Sequence, residues 1–429
     1  KDINIIGNKA FDKPTLLSQL KLEKTDWVPF QSTDRYSKQQ LLGDLEGLTS
    51  YYQDRGYLKF NISSVQVALA PDKKGIYITL NVEEGEVYKV KDRRFSGELV
   101  LEESILAYQV TTPAGSTFSR REATESANRI EASLADIGYA FAEVTPVPEV
   151  DEGAREVSIN YFIQPGKRAY VRQINFSGHS STNDETLRRE MRQLEAAPFS
   201  KSAVERSRTR LERLPFIESV EVDTKPVPGT DDLVDIEYTV KERPPGSIQF
   251  GVGYSGASGF LVTGNVTHTN VFGTGNRVAV EVDNNVFSRR ISVSWQDPFF
   301  TEDGVSQTWS VFYRECEGIN RFASGFNLNV LGGNLTYGIP LSEYTTVRAG
   351  FGVEDTALDT FAASSENILQ FAVENGTRYF TWEARTGITR DTRNRVFFAT
   401  RGTLNQLDLD VVMPGSDLQY YKLSYRSQN

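Results

Sequence analysis

The 429 residues contain one cysteine, Cys316, which excludes an intramolecular disulfide framework and a multi-cysteine zinc site. Two histidines, His179 and His268, stand too far apart for an HExxH or paired-histidine metal motif. No run of about 18 apolar residues occurs, so no transmembrane helix is predicted. That absence does not exclude a transmembrane β-barrel, whose alternating strands average to near-neutral hydropathy. The formal net charge of −10 excludes a generally basic nucleic-acid binder. No nucleophile elbow, P-loop lysine or metal-ligand cluster is present. The expectation is therefore of a non-enzyme with no catalytic residue, cofactor or metal.

Lysine is nearly missing from the second part of the chain: after Lys241 only Lys422 remains. Of the 47 basic and 57 acidic residues, 14 and 18 lie from Ser247 onward, while 19 of the 33 glycines do. The change falls near Pro244-Pro245-Gly246. A charged, lysine-rich part suits a water-exposed globular surface; a glycine- and aromatic-rich part with few lysines does not. The plain alternative at this point is two unrelated soluble domains.

The first part contains an internal repeat. Three stretches read strand, glycine turn, helix, and turn at Gly7, Gly97 and Gly178. Each leads to a longer helix with apolar residues at steps of three or four. Leu41, Leu45, Leu48 and Tyr52 form the first such face, and Ala123, Ala127, Ile130, Leu134 and Ile137 the second. Val204, Leu211 and Leu214 form the third, which Pro215 stops. Ser37-x-x-Gln40 and Ser119-x-x-Glu122 are capping boxes. Each helix is followed by two strands, the second alternating cleanly: Ile76 to Val82, Val157 to Ile163, Val234 to Val240. Each unit is thus β-α-α-β-β, with helices over one face of a small sheet that keeps a free edge. Repeats are expected over 1–87, 88–168 and 169–243. One alternating, weakly charged segment, Phe60 to Leu69, is a candidate edge for β-augmentation through Phe60, Ile62, Val65 and Val67. An ordinary protected edge strand would read the same way.

From residue 244 to 429 about ten segments alternate, with no strong helical segment between them. A soluble sandwich would alternate too. Strands of about ten residues, aromatic pairs at strand ends such as Phe299-Phe300, Tyr379-Phe380 and Tyr420-Tyr421, and charges confined to one face favour an antiparallel barrel in lipid. Gly251-Val-Gly253-Tyr-Ser-Gly256 matches a dinucleotide fingerprint literally, but a turn and another strand follow it instead of a helix. The paired acids Glu83-Glu84 and Asp231-Asp232 read as solvated turn residues.

β-α-α-β-β repeats before such a barrel resemble the superfamily of POTRA repeats joined to outer-membrane β-barrels, and within it the outer-membrane assembly factor (BamA) family. The residues carrying the resemblance are Tyr51-Tyr-Gln-Asp-Arg-Gly-Tyr57, Pro71-Asp-Lys-Lys-Gly-Ile-Tyr-Ile78, Leu187-Arg-Arg-Glu-Met-Arg-Gln193, Val240-Lys-Glu-Arg243, Phe272-Gly-Thr-Gly-Asn276 and Asp297-Pro-Phe-Phe300. That family has five repeats and a sixteen-stranded barrel, so the resemblance implies a chain beginning at the third repeat and stopping near the tenth strand. The family's Arg-Gly-Phe loop motif and closing C-terminal strand are absent. The resemblance further implies ATP-independent folding and insertion of β-barrel proteins from the bacterial outer membrane, with the repeats in the periplasm. Ile248, Gln249, Phe250, Gly251, Val252, Gly253 and Tyr254 would form the first barrel strand, at a lateral seam. Arg188, Arg189 and Glu195, read as lying on one short helix over Leu187 to Glu195, would dock the lipoprotein BamD, with BamB at upstream repeats. Unfolded barrel substrates and outer-membrane lipid including lipopolysaccharide complete the implied partners; nucleic acid is not among them. The rival readings are a POTRA-barrel secretion or translocation transporter, of the TamA or two-partner kind, and a solute channel.

Overall fold

The computed structural model describes residues 2–20, 38–69, 76–256, 259–285, 288–317, 325–361, 364–393 and 399–428. Three β-α-α-β-β units come first. The first is β1 (Asp2–Ile6), α1 (Lys13–Leu17), α2 (Lys38–Gln53), β2 (Asn61–Leu69) and β3 (Ile76–Glu83). The second is β4 (Lys89–Gly97), α3 (Glu103–Gln109), α4 (Arg120–Asp136), β5 (Glu143–Asp151) and β6 (Glu156–Gln164). The third is β7 (Tyr170–Ser177), α5 (Asp184–Arg188), α6 (Lys201–Glu212), β8 (Ile217–Pro226) and β9 (Leu233–Glu242). In each sheet the last strand is central: β1-β3-β2, β4-β6-β5 and β7-β9-β8. That position explains why the last strand alternates most cleanly. Ile78, Leu80 and Val82, then Val157, Ile159, Tyr161 and Ile163, then Val234, Ile236, Tyr238 and Val240 are all buried.

The three turn glycines share one cause. At Gly7, Gly97 and Gly178 φ is +101°, +91° and +80°, and a Cβ would fall 2.1, 2.2 and 2.3 Å from the carbonyl oxygen of Val82, Ile163 or Val240. Only glycine permits that approach of backbone to the central strand. Ser119 caps α4 as read, its Oγ accepting from the Glu122 amide at 3.3 Å. The companion cap at Ser37, and residues 71–75 of the second quoted motif, lie outside the described residues. Ile137 is exposed beyond the end of α4, and so is not part of its buried face. Glu84 is not merely solvated: it accepts from the Tyr52 hydroxyl at 2.7 Å and from the Ala10 amide.

The rest is one antiparallel sheet of ten strands in sequence order. They are β10 (Gly246–Ser255), β11 (Gly259–Val271), β12 (Asn276–Asn284), β13 (Ser288–Asp297), β14 (Ser306–Glu317), β15 (Phe326–Pro340), β16 (Thr345–Thr360), β17 (Arg378–Asp391), β18 (Leu404–Val412) and β19 (Tyr421–Gln428). Their register aligns an apolar row across eight strands: Val278, Trp295, Trp309, Leu335, Phe351, Ala384, Val411 and Tyr421. The row beside it runs Ser294, Ser310, Asn334, Gly352 and Glu383. Across the strands these rows cross, one face is therefore apolar and the other polar, as a barrel wall between lipid and lumen requires. Charged side chains of the polar face, among them Glu354, Glu383, Arg385, Arg314, Asp410 and Lys422, gather round a cavity of about 430 Å³.

One expectation fails here. The loop between β16 and β17 contains a ten-residue helix, α7 (Glu366–Asn375), which starts after Ser365 and ends at Gly376, where φ is +89°. Its apolar residues Leu369, Phe371 and Val373 are exposed instead of forming a buried stripe, so no core-facing period announced it.

Candidate functional site

The edge of the ten-stranded sheet is β10. Its register with β11 pairs Gly246 with His268 and Ser255 with Gly259, so every residue between has a partner on one side. On its other side no described strand pairs with it. Ile248, Phe250, Val252 and Tyr254 are 80, 75, 64 and 72% exposed and share one face. Gln249, Gly251 and Gly253 occupy the other. The two glycines are not equivalent. A Cβ at Gly251 would meet Thr263 Oγ1 at 2.6 Å, whereas one at Gly253 finds only ordinary contact with Leu261. Glycine inside a strand weakens it by about 0.5–1 kcal/mol relative to alanine. An unpartnered, weakened edge offers N–H and C=O groups to another strand. The literal glycine fingerprint thus sits in a strand paired to a strand, with no following helix.

The first repeat has a second such edge. Among the described strands β2 pairs only with β3, with a bulge between Ile62 and Ser64, and its Val65 and Val67 are exposed. Phe60 departs from the expectation: it precedes the strand, is buried, and stacks on Tyr52 at 4.0 Å.

The helix expected over Leu187 to Glu195 is also corrected. α5 ends at Arg188, because the amides of Arg192 and Gln193 donate to the Ser207 hydroxyl at 2.8 and 3.3 Å instead of to helix carbonyls. That brings Met191 and Gln193 into the core, and Ala196 follows in the left-handed region at φ 62°. Glu190 is buried and pairs with Arg210 at 2.7 Å. Arg188 binds Asp184 at 2.9 Å and the Ile174 carbonyl. Glu195 is exposed beyond the helix. Arg189 turns the other way: its Nη2 donates to the Thr274 carbonyl at 2.9 Å, and its guanidinium lies 4.4 Å from the Phe299 ring centre.

Arg189 belongs to a junction that sequence reasoning did not find. Strands β11 and β12 are joined by Phe272-Gly-Thr-Gly, and α5 with the loop before it seats on that turn. The Asn183 amide and the Thr186 hydroxyl both donate to the Gly273 carbonyl, at 3.0 and 2.8 Å. Asn270 Nδ2 donates to Thr182 Oγ1 at 2.8 Å, while its Oδ1 accepts from the Gly275 amide. Gly273 has φ +77°, and a Cβ there would lie 2.7 Å from the Ser181 carbonyl. Glu242 holds the same loop from behind. Its carboxylate accepts from the amides of Ser180, Ser181 and Thr182 at 2.9–3.0 Å and from the Ser180 hydroxyl. Burial alone would raise its pKa, but these donors outweigh it and pull the value down to about 2. A second contact joins Glu343, in the β15–β16 turn, to Arg192 at 2.6 Å and Arg210 at 3.0 Å. Four of the quoted motifs meet in this junction, through Arg189, Glu242, Gly273 and Phe299. The contacts between these segments span 60 to 151 residues of sequence, so no local period reveals them.

Among the described residues no group of His, Cys, Asp and Glu could hold a metal ion. Cys316 is a free thiol at the end of β14.

Comparison with known proteins gives a consistent pattern. The POTRA family, described as a surface antigen variable number repeat, matches residues 1–85, 88–166 and 169–243, and the Omp85 superfamily domain matches 270–429. The outer membrane protein assembly factor BamA of Neisseria meningitidis serogroup B is 27% identical over 99% of this chain and 55% of its own length. The BamA of Buchnera aphidicola is 29% identical over 83% of this chain and 58% of its own length. The chain thus spans about half the length of the curated relatives it matches. Among solved structures, BamA from Haemophilus ducreyi lacking POTRA domains 1–3 aligns with a TM-score of 0.63 and 32% identity, over 79% of this chain and 66% of that one. The POTRA3–5 fragment of Haemophilus influenzae BamA aligns at 0.50 and 31%, over 56% of this chain and 95% of that one.

Proposed function

We propose, for a chain that belongs to the Omp85 superfamily and carries three POTRA repeats ahead of its barrel strands, a role as the central subunit of an outer-membrane β-barrel assembly machine. It is a bacterial outer-membrane protein, with its POTRA repeats in the periplasm. The functional division follows the sequence: repeats over 1–87, 88–168 and 169–243 bind substrate or partner segments, and 244–429 supplies the barrel wall and its pairing edge. The work is strand exchange without ATP. A hydrogen bond nets only about 0.5–1.5 kcal/mol in water, but an unmade one in hydrocarbon costs several, so a templating edge lowers the barrier to insertion. Partners in this reading are unfolded barrel proteins, outer-membrane lipid including lipopolysaccharide, BamD at the third repeat through Arg188 and Glu195, and BamB upstream. Arg189 supports docking only indirectly, since it is already taken up by the β11–β12 turn.

The observation that carries this reading is β10: the first strand of the ten-stranded sheet, bearing Gly251 and Gly253 and apolar on one face. The test uses the gene product carrying this sequence, in liposomes, with Cys316→Ser and Gln249→Cys. An unfolded barrel protein with single cysteines along its last strand is added during folding. Disulfide capture in one register, together with accelerated folding, is the expected result. Acceleration with no capture at any position points to membrane perturbation or chaperoning by the repeats and overturns strand exchange.

A further inference from the structure

The three repeats are built alike, yet their free edges differ. In the second repeat the edge strand is β5, paired among the described strands only with β6. Ile163 of β6 gives its carbonyl to the Glu98 amide, on the β4 side. Backbone groups of one strand residue point the same way, so Val144, opposite Ile163, is not bonded to β6 and faces outward. Its amide confirms this, donating at 2.9 Å to the carboxylate of Glu131 on α4. With period two, the outward positions of β5 are Val144, 146, 148 and Val150. Two of these are Pro146 and Pro148, which have no N–H. Of four outward donor positions, one is occupied by Glu131, two are deleted, and only Val150 remains.

The first repeat shows the opposite arrangement. Val82 of β3 turns its carbonyl toward Gly7, on the β1 side. By the same alternation Ile62, opposite Val82, and Val65, Val67 and Leu69, opposite Leu80, Ile78 and Ile76, face outward from β2. All four carry an N–H, and β2 contains no proline.

We infer that the repeats are not interchangeable strand acceptors: β5 is closed to strand addition by Pro146, Pro148 and the Glu131 cap, and within these two repeats an extended apolar-alternating segment is directed to β2. Proline on an exposed strand edge is a recognised way of refusing a further strand. The consequence is a fixed point of entry for a substrate or partner segment. This rests on the strand-addition reading of the repeats given above.

The test is disulfide capture on the whole chain with Cys316→Ser, using an eight-residue peptide with the sequence of β19 and a cysteine in place of its serine at 424. Val67→Cys reports on β2 and Val147→Cys on β5. Capture at β5 is expected to be at least about tenfold weaker than at β2. The added changes Pro146→Val, Pro148→Val and Glu131→Ala are expected to bring β5 close to the level of β2. Amide-exchange protection of β6 verifies that the second repeat stays folded in these variants. Equal capture at both edges of the unsubstituted chain overturns the closure while leaving strand addition intact. Weak capture at β5 that the substitutions do not raise, in a repeat still protected, overturns the role of the prolines and the cap. Capture at neither edge in any variant overturns strand addition to the repeats, and the inference with it.

Discussion

Glu242 illustrates how one side chain fixes a loop. Three consecutive amides and a hydroxyl converge on its carboxylate, a geometry that favours the charged form. Its folded pKa of about 2 lies below the ordinary 4.5. A depressed carboxyl contributes stability that is full above its unfolded value and is lost as pH falls through its folded value. The loop Ser180–Thr182 is therefore expected to keep its amide protection from neutral pH down to about 4.5 and to lose it towards pH 2. Glu242→Gln should lower that protection at pH 7 by about 1–2 kcal/mol, allowing for partial solvent screening. Hydrogen exchange of the three amides reads both effects, and unchanged protection in the variant would sink the account. Gly273 makes the complementary case in backbone terms. Alanine there must hold φ near +77° while its methyl meets the Ser181 carbonyl, so Gly273→Ala should destabilise the junction by about 1–3 kcal/mol. The readout is faster exchange at the Asn183 amide, which donates to the Gly273 carbonyl.

At the scale of elements, β10 can be tuned without touching its register. Gly253 has room for a methyl and Gly251 does not. Gly253→Ala should stiffen the strand by about 0.5–1 kcal/mol. That predicts slower amide exchange along β10 and slower insertion of an added barrel protein, with the sheet intact. Gly251→Ala should instead clash with Thr263 and loosen the β10–β11 pair. If both alanines slow insertion while β10 exchange is unchanged, strand softness is not what the edge supplies. The period-two rows made β10 to β19 legible from sequence, because each strand shows one face to an apolar medium for its whole length. The central strands of the repeats were legible for the same reason. Two elements were not. α7 buries no stripe, and its only signals are Ser365 and Gly376 at its ends. α5 was read too long because Arg188, Glu190, Arg192 and Glu195 are spaced like helical ion pairs, while the Ser207 hydroxyl that ends the turn lies 15 residues away from Arg192. The alternating edge at β2 was visible, but the direction in which its amides point required the register.

On the scale of the molecule, the third repeat and the barrel turns share one network, which spacing in sequence could not disclose. Arg210 is its pivot, bonding Glu190 on one side and Glu343 on the other. The two partners differ in exposure: the Glu190 side chain is 7% exposed and the Glu343 side chain 37%. Removing Glu343 leaves Arg210 held by Glu190, and releases Arg192 into water. Removing Arg210 strands Glu190 as a buried, unpaired charge. Breaking a buried pair from one side costs several kcal/mol, whereas an exposed pair is worth about 0–1 kcal/mol. Arg210→Ala is therefore expected to loosen the junction by about 2–4 kcal/mol and Glu343→Gln by less than about 1 kcal/mol, although both delete a link to the same turn. Spin labels at Thr209 and Ser342, in a Cys316→Ser background, measure this as a distance distribution. It should broaden strongly with Arg210→Ala and little with Glu343→Gln. Adding Glu190→Gln to Arg210→Ala removes the stranded charge and should recover part of the loss. Equal broadening in the two single variants would mean that the exposed bridge at Glu343, not the buried pair, fastens the repeat to the barrel turn.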